Sequence, residues 1–62
     1  MDKAAFYRHY ANLPFAVRRE VVLSIDGEPI TWEVAYREID ADTERGKRIL
    51  QLLIQLKFIP AN

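Results

Sequence analysis

The stretch Asp26-Gly27-Glu28-Pro29-Ile30-Thr31-Trp32 admits two incompatible backbones, and the fold class turns on which one forms. In one, Asp-Gly closes a β-hairpin. In the other, Gly27 ends one helix in the left-handed region and Thr31 caps the next. The first gives a helix–β-hairpin–helix fold of the α+β class. The second gives a mainly α chain, a compact bundle of about four short helices.

Both backbones find support on either side of the stretch. As strands, Val21, Leu23 and Ile25 alternate with Val22 and Ser24, and Ile30, Trp32, Val34 and Tyr36 alternate with Thr31, Glu33, Ala35 and Arg37. A two-residue loop would, however, resume strand pairing at Glu28-Pro29, where proline has no N–H to give the ladder. As helices, Leu13, Val17, Val21 and Ile25 recur at spacing four behind Pro14, a residue favoured in a first turn. Trp32, Ala35, Tyr36 and Ile39 match the i, i+3, i+4, i+7 spacing of one helical face, and Ile30 is placed to staple onto Ala35. More independent cues favour helices, so the spacing predicts helices over 3–12, 14–25, 31–40 and 43–58, with the hairpin as the alternative.

The two outer segments are less ambiguous. Asp2 is a suitable cap for the first helix, which Leu13-Pro14 stops because the residue before proline avoids the α region. In the last, Asp42 or Thr43 can cap the first turn, no proline intervenes from Thr43 to Phe58, and Pro60 follows. Its polar residues Glu44, Arg48, Gln51 and Gln55 form one narrow stripe. Leu52, Leu53, Leu56 and Ile49 flank that stripe on one side, Leu50, Ile54 and Phe58 on the other. Most amphipathic helices carry a single apolar stripe about 100° wide. A helix apolar around most of its circumference is either surrounded by its own small domain or covered by a second chain.

Sixty-two residues, half of them hydrophobic, make a single small domain over 1–62. Domains of this size bury only about 60% of the surface of the unfolded chain and generally need a staple. Without cysteine there are no disulfides or thiolate sites, and one histidine, His9, does not make a zinc site. Oligomerisation is the staple left. Nine basic residues balance nine acidic ones, which disfavours a dedicated nucleic-acid or anionic-membrane binder. No apolar run approaches the ~20 residues of a membrane span and no signal layout opens the chain, so a cytoplasmic location is expected by default.

No catalytic, cofactor or metal site is expected. Ser24 and His9 lack any nucleophile-elbow or oxyanion pattern around them. Asp40, Asp42 and Glu44 lack the glycine and terminal glutamate of a calcium loop, and Gly27 and Gly46 are too isolated to cradle a phosphate. The expected function is a non-enzymatic protein-interaction module, with itself or another protein as partner. Self-association would run through the C-terminal helix, with Leu50, Ile54, Phe58, Ile59 and Trp32 as the interface. The alternative is a helix-turn-helix DNA binder, with 14–25 as its first helix and 31–40 in the major groove. That would present Thr31, Glu33, Val34 and Arg37 to the bases, with Arg18, Arg19, Arg45, Lys47 and Arg48 near phosphates. Glu33, Glu38 and Asp40 on the reading helix oppose it.

Overall fold

The computed structural model describes residues 3–60. In chain order it contains α1 (Ala4–Ala11), α2 (Phe15–Arg18), β1 (Val21–Ile25), β2 (Glu28–Thr31), α3 (Trp32–Asp40) and α4 (Glu44–Gln55). The fold is therefore mainly helical with a small antiparallel hairpin, closer to the α+β alternative than to a pure bundle. The proposed Asp2 cap lies outside the described residues.

The helix expected over 14–25 is corrected to one short turn followed by a strand. Val21, Val22 and Ile25 are β-branched and lose side-chain freedom in a helix, while they suit a pleated strand. Val21, placed by the spacing-four stripe on a buried face, is 56% exposed. Asp26 and Gly27 take φ of 51° and 81°, the pair of positive values that a tight type I′ hairpin turn demands. Gly27 thus closes a hairpin and ends no helix. The strands pair Ile25 with Glu28, Ser24 with Pro29, Leu23 with Ile30 and Val21 with Thr31, with an irregularity between Val21 and Leu23.

Pro29 does not obstruct this register. Antiparallel pairs alternate between hydrogen-bonded and open ones. Ile25 and Glu28 flank the turn and bond, so Ser24 and Pro29 form an open pair. The N–H that proline lacks would have pointed away from β1 in any case. It falls on the outer edge of β2, where proline also discourages further strand pairing.

β2 runs into α3 without a loop, because Thr31 ends the strand and caps the helix. Its Oγ1 accepts from the Val34 amide at 3.1 Å. Ile30 and Ala35, the expected staple, are both buried.

The α3–α4 corner is equally tight. Asp42 has φ 57°, the Asp42 amide bonds the Ile39 carbonyl at 3.2 Å, and the Thr43 amide bonds the Glu38 carbonyl at 3.3 Å. This is the paired closure of a Schellman turn. Thr43 then caps α4, its Oγ1 accepting from the Gly46 amide at 2.8 Å. Gly46 allows the two helices to meet: a Cβ there would stand 2.2 Å from the Glu38 carbonyl oxygen.

Phe6, Ile25, Ile30, Trp32, Ala35, Ile39, Ile49, Leu50, Leu53 and Ile59 form the core, to which every element except α2 contributes a buried side chain. α4 is its central wall, with Ile49, Leu50 and Leu53 fully inside and Leu52 and Ile54 half-buried. Ion pairs tie the hairpin turn to α4: Arg45 bonds Glu28, and Arg48 lies 3.6 Å from Asp26. Arg48 thus pairs across the fold and not with Glu44, which meets Lys47 instead. With residues 14–25 split between a turn and a strand, the first helix of a helix-turn-helix motif is missing. Of the five cations assigned to its phosphates, Arg45, Lys47 and Arg48 each lie beside an acid.

Candidate functional site

The end of α4 is built by a second Schellman turn. Lys57 adopts φ 64°, its amide bonds the Ile54 carbonyl at 3.0 Å, and the Phe58 amide bonds the Leu53 carbonyl at 2.9 Å. The helix therefore stops at Gln55, three residues before the expected end at 58. The turn folds Ile59 back into the core and leaves Leu56 and Phe58 outside, 56% and 44% exposed. Of the five expected interface residues, Leu50, Ile59 and Trp32 are buried within the chain's own core. Ile54 is half-buried and Phe58 is exposed. Phe58 stands edge-on to Trp32, ring centres 6.1 Å apart at 86°. Ile54, Lys57, Phe58, Ile59 and Pro60 line a shallow open groove at this corner. Leu56, read from the sequence as one of several flanking apolar residues, is the more exposed partner of Phe58.

A second surface runs where α1, α2 and α3 meet. Tyr7, Tyr10, Ala11, Arg18, Tyr36 and Asp40 line an open groove there. The Arg18 guanidinium lies over the Tyr10 ring at 4.5 Å and over the Phe15 ring at 4.7 Å. Tyr10 and Tyr36 are 4.7 Å apart, and the Tyr7 hydroxyl donates to Asp40 at 2.7 Å. That hydrogen bond holds the Tyr7 phenol pKa above its ordinary value, with burial adding to the effect. Sequence reasoning did not find this surface: the i, i+3 spacing of Tyr7 and Tyr10 puts both on one side of α1, but Tyr36 joins them only through α3.

The cleft between the start of α1 and the α3–α4 corner is spanned by the chain's own ion pair. Lys3 Nζ lies 3.0 Å from Asp42 and donates to the Ile39 carbonyl at 3.3 Å. The hydrogen bond to Asp42 raises the Lys3 pKa.

Among the described residues no polar or charged side chain is buried, and no group of three or more His, Asp or Glu is placed to hold a metal ion. His9 packs against Trp32 at 5.2 Å, while Ser24 lies exposed on β1, and Thr31 and Thr43 spend their hydroxyls on caps. No helix among the described residues is long and apolar enough to cross a membrane.

No family model matches the chain, and no curated protein or solved structure is significantly similar to it.

Proposed function

We propose that this chain is a small non-enzymatic protein-interaction module that self-associates through the corner where α4 ends. Leu56, Phe58 and Ile54 make the contact, with the buried Trp32 and Ile59 packed beside Phe58, while Leu50 stays within the chain's own core. The observation that carries this reading is the adjacent exposure of Leu56 and Phe58 in a chain with so little core to spare. Lys57 adds to it. A non-glycine residue in the left-handed region costs about 1–2 kcal/mol, and here that turn is what holds Phe58 outward. A contact of this kind is isologous, each copy presenting the same patch, and aromatic and leucine side chains meeting across it would exclude water from both.

Thermal unfolding tests this at several protein concentrations. Because a dimer is stabilised by mass action, about a hundredfold rise in concentration should raise the midpoint by several degrees. The Leu56→Glu/Phe58→Glu double variant should unfold at a midpoint independent of concentration while keeping its far-ultraviolet circular dichroism. A concentration-independent midpoint for the unaltered chain contradicts the proposal.

A further inference from the structure

The tyrosine groove is a surface of a different chemical kind from the apolar corner of α4. Its rings pack against one another at tilts of 31° to 59°. Tyr10 is faced by Arg18 on one side and lies against Tyr36 and Phe6, and Tyr36 lies against Tyr7, Tyr10 and Phe6. The groove therefore offers ring edges and hydroxyl groups. Of the three phenols, Tyr7 is committed to Asp40, while the Tyr10 and Tyr36 hydroxyls meet no acceptor among the described residues. Arg18 Nε is shielded from water without an acceptor, its Nη2 reaching only the Ala11 carbonyl at 3.4 Å. The wall thus presents two uncommitted phenol donors, with a cation at the Arg18 end and a carboxylate at the Asp40 end.

We propose that this groove binds a proline-rich segment in the polyproline II conformation, with a basic residue of the segment at the Asp40 end. A polyproline II helix makes no internal hydrogen bonds, so its carbonyls are free to accept from the Tyr10 and Tyr36 hydroxyls. Its prolines bring no N–H groups that would need acceptors. The segment is already ordered before it binds, which limits the entropy lost on docking, and aromatic-lined grooves are the usual receptors for it. Asp40 spends one oxygen on Tyr7 and keeps its charge for a lysine or arginine of the ligand. A single-stranded nucleic acid is the poorer occupant. It needs open ring faces for its bases and meets a carboxylate where its phosphates would run.

The test is an amide chemical-shift titration of the full chain with a synthetic Arg-Pro-Pro-Pro-Pro-Pro peptide. A matched peptide carrying glutamine for arginine and a thymidine oligonucleotide serve as the other probes. Saturable shifts are expected at Tyr7, Tyr10, Ala11, Arg18 and Tyr36. Tyr36→Phe keeps the ring and removes one donor, so it should weaken binding about fivefold. Asp40→Asn should weaken the arginine peptide more than the glutamine peptide, removing most of the difference between the two. The Leu56→Glu/Phe58→Glu variant should bind as the unaltered chain does, which separates this groove from self-association. The proposal is overturned by an absence of shifts at millimolar peptide, by shifts elsewhere, by affinity indifferent to Tyr36→Phe and Asp40→Asn, or by preferential binding of the oligonucleotide in the groove.

Discussion

At the level of single residues, Gly46 and Tyr7 are the two positions where chemistry is most constrained. A Cβ at Gly46 would meet the Glu38 carbonyl oxygen at 2.2 Å and the Ile39 nitrogen at 2.8 Å, all backbone and unable to rotate away. That oxygen also accepts from the Thr43 amide and hydroxyl. Ordinarily alanine gains about 1 kcal/mol over glycine in a helix. Here overpacking against the corner outweighs the gain, and Gly46→Ala should destabilise the fold by about 1–2 kcal/mol in urea denaturation. Stabilisation would mean that α4 does not approach α3 this closely. Tyr7 bears on pH. Its raised pKa means that the contribution of the Tyr7–Asp40 bond is complete below about pH 10, where the phenol is protonated in both folded and unfolded chains. That contribution is lost as pH rises through the folded-state pKa. An ultraviolet titration should show one tyrosine ionising after an ordinary phenol, and Asp40→Asn should bring it back. Coincident ionisation in both proteins would remove the hydrogen bond from the account.

At the level of elements, two left-handed residues respond to substitution in opposite directions. Gly27 has open space around its missing Cβ, so Gly27→Ala suffers only the cost of φ 81°, about 1–2 kcal/mol. Lys57 already carries a similar cost at φ 64°, and Lys57→Gly should stabilise the monomer by about 1 kcal/mol. Thermal or urea unfolding of the two variants decides both signs. The caps were legible in the sequence because a threonine before an apolar repeat has one good local use, and both Thr31 and Thr43 fill it. The hairpin was harder to read. Leu13, Val17, Val21 and Ile25 satisfy a helical spacing by coincidence, and Pro29 counts against a strand until the pairing register is known. The register places its missing N–H outward. The end of α4 was misplaced for a related reason, since lysine gives no local sign of the left-handed turn that stops the helix.

For the whole molecule, the apolar excess of α4 divides between the chain's own core and its surface. Ile49, Leu50 and Leu53 serve the core, and Leu56 and Phe58 are left to solvent. Sequence spacing alone could not make that division, because Leu50 and Phe58 share a helical face only if the helix runs that far. The turn at Lys57 separates them, burying Ile59 and exposing Phe58. The tyrosine groove needed tertiary structure altogether, since Tyr36 joins Tyr7 and Tyr10 only when α3 packs on α1. The central claim is that the exposed pair covers itself with a second copy. Sedimentation equilibrium from micromolar to near-millimolar protein tests it most directly. The predicted result is a mass rising from 7.3 kDa toward twice that value, with the Leu56→Glu/Phe58→Glu variant held at 7.3 kDa. A 7.3 kDa species at every concentration of the unaltered chain would contradict it.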